Sequence, residues 1–339
     1  MTAQNQHYVP RFILRQFLSD AEKEQVQVYD KHADKSFVTS IKNIMVERRF
    51  NDFVFEDWIV SFEGIATGIE NIVLPSYRRV IERRQLDGTP QEKADLAFLV
   101  AFQLLRTKAH REYGTAVEDE IRKRIESEGG KMQDIKGWAP STEDTIKQEH
   151  LTFIRKHIAD FAGIIAQKDF ALISSMPSRS FYLGDNPVCL HNERDFGPYG
   201  NLGLAVEGIQ IYMPLSAELM LCAWCPTIMT ASRKMLDDAK QMAEREALAE
   251  LMAGHITADQ MRQNLDASRT RFSVAESMHQ AFAEGRPIDS VDATMDFYNS
   301  LQLSYAHRYV VSREGDFDFA RTFNRENPEV RHGRRPQVA

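Results

Sequence analysis

The stretch DFALISSM, residues 169–176, begins a region in which short runs of β-forming residues replace the helical pattern before it. Three similar runs follow, SFYLGDNPV (180–188), EGIQIYMPLS (207–216) and ELMLCAWC (218–225), with Pro, Gly and Asn residues between them. Short apolar runs bounded by such turn-forming residues are typical of β-strands. The pattern therefore predicts a small, antiparallel sheet at about residues 168–228.

Helical periodicity dominates the chain on both sides of this sheet. Apolar residues recur at intervals of three and four over residues 55–84, and a second helical run begins at Pro90. The second run continues to the glycine pair at 129–130, which predicts one long helix with an apolar first half. The predicted helical parts are about residues 41–167 and 229–303.

Two shorter predictions complete the architecture. The runs QVQVYDK and SFVTSI, joined by a polar turn, predict a β-hairpin at about residues 25–40. The charged, proline-containing end of the chain, residues 325–339, predicts a disordered tail. Because helices precede and follow the strands, the order favours a single α+β domain over residues 1–339, mainly helical with a small antiparallel sheet.

Composition and charge exclude several classes of protein. The 339 residues are 43% hydrophobic, which supplies a sizeable core, and the formal net charge is -7. A negative net charge does not attract nucleic acid, so any contact with nucleic acid would have to be made locally, by arginines such as those at 78–84. The longest apolar run, Leu219–Met229, contains Pro226 and is too short to cross a membrane. With no targeting segment at the N-terminus, we expect a soluble, cytoplasmic protein without a membrane partner.

The cysteines fit a reducing compartment, because Cys189, Cys222 and Cys225 are too few for a disulfide framework. Cys222 and Cys225 form a C-x-x-C pair, a spacing that can hold zinc or perform redox chemistry. A four-thiolate zinc site needs a second pair of cysteines, and a redox pair lies at the start of a helix. ELMLCAWC instead has the pattern of a strand, so we interpret these thiols as structural.

The predicted long helix carries polar residues in an apolar environment. Gln103, Arg106 and His110 are three and four residues apart, so they share one face of the helix. A buried arginine needs a carboxylate partner, because an isolated buried charge costs several kcal/mol. Glu63, in the apolar segment VSFEGIA of the preceding helix, is the leading candidate. Such a pair could be functional, or it could only fix the register of the two helices.

A second signal is YLGDNPV, residues 182–188. Asp185 and Asn186 directly follow an apolar strand, at a place where side chains leave the end of a sheet. Asp185 could bind a metal ion or polarise a water molecule, and Asn186 could orient a substrate. An Asx-turn, in which Asp185 binds backbone N–H groups, is an equally good interpretation.

The N-terminal stretch HYVPRFILRQF, residues 7–17, places His7 ahead of a short helix that begins at Pro10. The positive end of that helix disfavours a charged imidazole, so His7 could accept a proton. Arg11 and Arg15 are one turn apart, and either guanidinium could bind a phosphate or carboxylate in a bidentate manner. Alternatively, His7 and Arg11 only hold the terminus in place and Arg15 is exposed to solvent.

These stretches together resemble the motifs of a bacterial family, domain of unknown function 4238. The similar segments are, in order, HYVPRFILRQF, FEGIA, QLLRT, GDNPV, MPLS and FYNSLQLSYAHRYVVS. The resemblance implies a set of signature residues: His7, Pro10, Arg11, Glu63, Arg106, Asp185, Asn186 and Pro187. No activity is established for the family, so the resemblance supports the choice of residues and implies no reaction.

The candidate residues support three functional hypotheses. The first is an intracellular hydrolase, nuclease-like and metal-assisted, that acts on a phosphate-bearing substrate. Its catalytic residues would be His7, Glu63 and Asp185, with Glu63 and Asp185 holding a divalent metal ion. Its substrate-binding residues would be Arg11, Gln103, Arg106 and Asn186. The second hypothesis is a non-catalytic module for an anionic ligand or peptide, and the third is a polar cluster that only stabilises the fold.

Overall fold

The structure is a computed structural model, and it describes residues 4–56, 58–135, 137–196 and 200–334. Its strands are β1 (Asn5–His7), β2 (Gln25–Asp30), β3 (Lys35–Ser40), β4 (Val46–Arg48), β5 (Asp52–Phe55), β6 (Trp58–Ser61), β7 (Asp169–Ser174), β8 (Leu183–Gly184), β9 (Cys189–His191), β10 (Gln210–Ser216), β11 (Leu219–Trp224), β12 (Pro287–Asp289) and β13 (Tyr309–Ser312). Its helices are α1 (Arg11–Leu14), α2 (Glu63–Arg83), α3 (Pro90–Leu105), α4 (Lys108–Ser127), α5 (Glu143–Ala166), α6 (Pro226–Met252), α7 (Ala258–Ala283), α8 (Asp292–Tyr305) and α9 (Asp318–Glu326).

The five-stranded sheet takes four strands from the region that DFALISSM begins and a fifth, β12, from residues 287–289. Its strand order is β12-β7-β11-β10-β9, and all neighbouring strands are antiparallel except β12 and β7. Every residue of β11 is buried, as expected for a central strand with a continuous apolar sequence. The prediction of an α+β fold, mainly helical with small and mostly antiparallel sheets, is confirmed.

A second sheet joins the two ends of the chain. β2 and β3 form the predicted hairpin, and β13 pairs with the other edge of β2. β8 completes the order β3-β2-β13-β8. The N-terminal hairpin is therefore held in the sheet by a strand from residues 309–312.

α3 lies in the centre of the helical part. Thr89 caps its first turn, where Oγ1 accepts a hydrogen bond from the backbone N–H of Glu92. Most of the side chains of α3 are buried, and the helix packs against α2 and α5. Its last turn places Gln103 and Arg106 against the N-terminal segment, to which both side chains donate hydrogen bonds.

The predicted long helix is in fact two helices, so the prediction of one helix up to residues 129–130 is wrong. α3 ends at Leu105 and α4 begins at Lys108. Thr107 lies in extended conformation between them, and its Oγ1 accepts a hydrogen bond from the backbone N–H of His110. This cap starts a new helix. Apolar periodicity does not reveal the break, because the spacing of three and four continues across it.

The strands β4, β5 and β6 lie in a segment where the sequence analysis predicts helix. β4 pairs with β1, and β5 and β6 form a separate hairpin. α2 therefore begins at Glu63 rather than near residue 55, and it continues through Pro75. The adjacent β-branched residues at 59–60 favour a strand locally, and they outweigh the helical spacing in this segment.

The end of the chain folds back onto the second sheet as far as residue 334. α9 and a short 3-10 helix after it occupy the first part of the predicted disordered tail. The buried Lys31 Nζ donates to three backbone carbonyl oxygens, those of Leu303, Ala306 and Val330. Residues 325–334 of the predicted disordered tail are therefore described in contact with the rest of the fold, and residues 335–339 lie outside the described residues.

Cys189 lies in β9, Cys222 lies in β11, and Cys225 directly precedes α6. The three cysteines are free and buried. Burial raises the pKa of Cys189 and Cys222, so both thiols stay protonated at neutral pH. Among the helices of the described ranges, none combines the length and apolar content needed to cross a membrane.

A buried polar cluster joins α3, α4 and α5. His150 Nε2 donates to the carbonyl oxygen of Leu105 at 2.8 Å, and its Nδ1 accepts a hydrogen bond from Arg111 Nε at 3.4 Å. Burial lowers the pKa of His150 to about 3 and that of His110 to about 4. Both imidazoles are therefore neutral at pH 7.

We expect the free energy of unfolding to decrease as the pH falls below 6.5, the ordinary pKa of histidine. In this range the unfolded chain binds protons that the folded chain does not, because the folded pKa of His150 is lowered. The loss is up to ~1.4 kcal/mol per pH unit for each such histidine. Urea unfolding of the wild type and of His150→Gln at about pH 7 and about pH 5 measures it. The variant should show a shallower pH dependence, and an unchanged slope would contradict the assignment.

Candidate functional site

A surface cleft of about 510 Å³ lies between the N-terminal segment and α2. We call it the N-terminal cleft. It brings together four residues that the sequence analysis selected as site residues: His7, Arg11, Glu63 and Arg106. Its other charged lining residues are Arg15, Lys42, Glu70 and Arg78. Among the described residues, five cationic side chains and two carboxylates thus share one cleft.

Arg106 is almost completely buried at the base of the N-terminal cleft, with 3% of its surface exposed. Its Nη1 donates to Glu70 Oε1 at 2.5 Å, and its Nη2 donates to the backbone carbonyl oxygen of His7 at 2.6 Å. The guanidinium also lies over the Phe102 ring, 4.5 Å from its centroid. The predicted carboxylate partner of Arg106 therefore exists, but it is Glu70 rather than Glu63.

His7 is held in β1, opposite Val46 of β4. Its Nε2 donates to the carbonyl oxygen of Ile41 at 2.8 Å, since a carbonyl can only accept. In the neutral ring this leaves Nδ1 as the nitrogen that can accept a proton. Burial lowers the pKa of His7, and the positive charges of Arg11 and Arg106 act in the same direction. The ring is therefore neutral at pH 7.

The other cations of the N-terminal cleft are only partly neutralised. Glu24 contacts Arg15 at 2.9 Å and Arg11 at 3.5 Å. The Nε of Arg11 is buried and has no hydrogen-bond partner among the described residues. Lys42 and Arg78 are exposed, and neither forms an ion pair within the part of the chain that the structure describes. The cleft thus keeps an excess of positive charge.

Glu63 is the first residue of α2. Its Oε2 accepts a hydrogen bond from Asn51 Nδ2 at 2.7 Å, and its backbone N–H donates to Ser61 Oγ at 3.3 Å. Within the described ranges no lysine, arginine or histidine lies within ion-pair distance of its carboxylate. Glu63 therefore differs from Glu70, whose charge is paired with Arg106.

Three predicted site residues do not line the N-terminal cleft: Gln103, Asp185 and Asn186. Gln103 is fully buried, and its Nε2 donates to the backbone carbonyl oxygen of Tyr8 at 3.0 Å. This contact lies beside the bond from Arg106 to the carbonyl of His7. Gln103 therefore positions the N-terminal segment from behind the cleft.

Asp185 binds the backbone of the loop that precedes β13. Its Oδ1 accepts a hydrogen bond from the N–H of His307 at 2.7 Å. Its Oδ2 accepts from the N–H groups of Arg308 and Tyr309, both at 3.0 Å. Burial raises the pKa of Asp185, although the hydrogen bonds from the N–H groups of Tyr309 and Arg308 oppose the shift. The carboxylate thus accepts hydrogen bonds from backbone N–H groups, as it would in the Asx-turn that was the alternative interpretation. The N–H groups are not in a local turn, however, but in a loop that begins 122 residues later.

Asn186 connects the same loop region to the break between α3 and α4. Its Oδ1 accepts a hydrogen bond from Thr107 Oγ1 at 3.0 Å, and its Nδ2 donates to the carbonyl oxygen of Tyr305 at 3.3 Å. Asp185 and Asn186 therefore join β8 to the end of α8 and the start of α4. The geometry gives these two residues a structural role.

The predicted metal site must be corrected. Asp185 does not line the cleft that contains Glu63, and both of its oxygens bind backbone N–H groups. In the described parts of the chain, no group of three or more His, Cys, Asp or Glu side chains is placed to hold a metal ion. Glu63 and Asp185 therefore do not form the joint ligand set that the sequence analysis predicts.

The sequence analysis did not select three charged residues of the N-terminal cleft as site residues: Lys42, Glu70 and Arg78. Glu70 and Arg78 are seven and fifteen residues after Glu63, separations that place all three on one side of α2. That signal is present in the sequence, but the sequence analysis considers the arginines at 78–84 only as a local contact for nucleic acid. Lys42 lies in the loop between β3 and β4, and its spacing gives no comparable signal.

Comparison with known proteins finds one family. A family model described as a protein of unknown function, DUF4238, matches residues 5–316. This range includes every charged residue of the N-terminal cleft, as well as Asp185 and Asn186. The family resemblance inferred from the sequence is confirmed. No curated protein and no solved structure matches the chain.

We expect Asp185→Ala to lower the free energy of unfolding by about 3 kcal/mol, because three backbone N–H groups lose the buried carboxylate that accepts their hydrogen bonds. Asp266→Ala is the matched control, since this carboxylate is exposed on α7 and its loss should change stability by less than about 0.5 kcal/mol. Urea unfolding of both variants measures the difference. A change below about 1 kcal/mol in Asp185→Ala would show that the loop does not depend on this carboxylate.

Proposed function

We propose a function for this chain on the premise that it belongs to the DUF4238 family of proteins of unknown function. In this proposal the N-terminal cleft binds a small, phosphate-bearing ligand. The observation that carries it is the excess of positive charge in the cleft, where Lys42 and Arg78 form no ion pair within the described residues. An acidic protein that concentrates unpaired cations in one cleft has the electrostatics of a local anion site.

Arg11 and Arg15 support binding of a phosphate because their ion pairs with Glu24 are weak. Their side chains are 39% and 47% exposed, and both contact the single carboxylate of Glu24. Ion pairs this exposed contribute little to stability, so a dianion can replace Glu24 at little cost. Guanidinium groups bind phosphate oxygens through paired N–H donors, which a single carboxylate does not saturate.

Arg106 supports the cleft without being free to bind a ligand. Its charge is matched by Glu70, and its second terminal nitrogen holds the carbonyl of His7. We therefore assign ligand binding to Arg11, Arg15, Lys42 and Arg78. Arg106 positions the strand that carries His7.

We expect isothermal titration calorimetry to detect binding of pyrophosphate at low ionic strength, with affinity falling as salt is added. Arg78→Ala should weaken this binding roughly tenfold, because it removes a charge-assisted hydrogen bond. Arg83→Ala is the matched control, since Arg83 is exposed on the same helix but does not line the cleft. Absence of binding in the wild type, or an equal loss in both variants, would contradict the proposal.

A second candidate function is hydrolysis of a phosphate ester, and the observation that favours it is the state of His7. The ring is neutral, its Nε2 is fixed by Ile41, and its Nδ1 is left to accept a proton beside the arginines of the cleft. A neutral imidazole of this kind is suited to act as a general base on water. A divalent metal ion stays part of this candidate, although the described residues offer no ready ligand group for it.

We expect His7→Gln to reduce hydrolysis of bis(p-nitrophenyl) phosphate by about 100-fold, because a general base contributes at least that much. Glutamine can still donate to the carbonyl of Ile41, so the fold of β1 is retained. The wild-type rate should persist somewhat below pH 6.5 and then fall, since the pKa of His7 is lowered. Repeating the assay with EDTA tests the metal. Wild-type protein that binds pyrophosphate but shows no turnover would exclude this candidate and leave the binding module.

We also propose a cytoplasmic location in a bacterial cell. The free, buried cysteines of the described residues suit a reducing compartment. The bacterial origin rests on the family resemblance alone.

A further inference from the structure

Glu63 introduces a negative charge into a cleft that is otherwise suited to an anion. Its carboxylate accepts one hydrogen bond from Asn51, but it has no cationic partner within the described residues. A lone acid beside several cations would normally be expected to pair with one of them. Here Arg106 pairs with Glu70, and Arg11 and Arg15 pair with Glu24. The carboxylate of Glu63 is thus left available to a ligand.

We infer that the ligand of the N-terminal cleft is a zwitterion, with a phosphate that binds the cations of the cleft and an ammonium group that binds Glu63. This inference rests on the proposed function, because it requires the phosphate site. Beyond the phosphate, the inference assigns a positive charge to the ligand and identifies Glu63 as the residue that binds it. An ammonium group supplies three donors, of which a carboxylate accepts one or two.

The order of charges along α2 limits how a ligand can bind Glu63. Glu63, Glu70 and Arg78 lie on one side of this helix, with Leu74 between the last two. Arg78 is 15 residues after Glu63, which corresponds to about 22 Å along a helix. Because Arg106 neutralises Glu70, the unpaired charges are negative at the start of α2 and positive near its end. A small ligand cannot bridge Glu63 and Arg78, so a ligand whose ammonium group binds Glu63 places its phosphate on the other available cations of the cleft, Arg11, Arg15 and Lys42.

A purely structural role for Glu63 makes a different prediction. An acidic residue in the first turn of a helix stabilises the helix dipole, and Glu63 occupies the first position of α2. In that case its substitution changes stability and leaves ligand selectivity untouched. Selectivity is therefore the readout that separates the two roles.

The experiment compares matched ligands that differ only in the ammonium group. Aminoethyl, aminobutyl and aminohexyl phosphate are titrated calorimetrically against ethyl, butyl and hexyl phosphate, with the wild type, Glu63→Gln and Glu82→Gln. Glutamine at position 63 keeps an acceptor for Asn51, so the local fold is preserved. Glu82 is the matched control because it is exposed on the same helix outside the cleft. Thermal melting of each variant confirms that it is folded.

We expect the wild type to prefer the amino member of at least one pair by roughly three- to fivefold. Glu63→Gln should abolish this preference while retaining its affinity for the alkyl phosphates, and Glu82→Gln should keep the preference. Vesicles that contain phosphatidylethanolamine form a separate arm. Binding to them would identify a lipid headgroup as the source of the zwitterion, and binding of the soluble ligands alone would identify a free phosphate ester.

Two failures can be distinguished. If the alkyl phosphates bind but no amino member is preferred, or if the preference survives in Glu63→Gln, the inference about the ammonium group is wrong and the phosphate site stands. If neither series binds to the folded wild type, the phosphate site itself is wrong.

Discussion

A buried guanidinium cannot remain without an acceptor, and the arrangement of this site depends on how the fold satisfies that of Arg106. One terminal nitrogen binds Glu70 of α2, and the other binds the backbone carbonyl of His7 in β1. A single side chain thereby fixes a helix and a strand relative to α3. Because burial of the charge without these acceptors would cost several kcal/mol, the approach of the N-terminal segment to α2 is closely constrained. The N-terminal cleft lies between these two elements, the N-terminal segment and α2.

Other polar groups in apolar surroundings are satisfied by backbone atoms rather than by opposite charges. The carboxylate of Asp185 accepts from three N–H groups, and the ammonium of Lys31 donates to three carbonyls. Both groups join segments that are far apart in the sequence. An ionisable residue within an apolar stretch is therefore an ambiguous signal. In this chain it marks a cleft at His7 and Arg11, and a structural junction at Asp185.

Much of the fold was predictable, because β-type runs and helical periodicity are local properties of the chain. The hairpin at 25–40 and the strands β7, β10 and β11 of the sheet predicted at 168–228 follow directly from such patterns. The patterns do not show that β8, from the same region, joins the second sheet, or that β12 completes the first. The cleft was predictable only in part. A carboxylate partner for Arg106 follows from electrostatics, but the choice between Glu63 and Glu70 depends on how far α3 is displaced along α2. That displacement is set by packing of the whole helical layer, and no local pattern encodes it.

The topology of the second sheet bears on how the protein is made. β2 and β3 can pair as soon as they leave the ribosome, whereas the neighbour of β2 on its other edge, β13, is synthesised nearly 280 residues later. Until then β2 presents an open edge, although its apolar side chains belong to the main core. Translation at about 5–20 residues per second leaves this edge uncovered for many seconds. Nascent chains of this protein therefore need protection from intermolecular strand pairing, and molecular chaperones that bind extended apolar segments are suited to provide it.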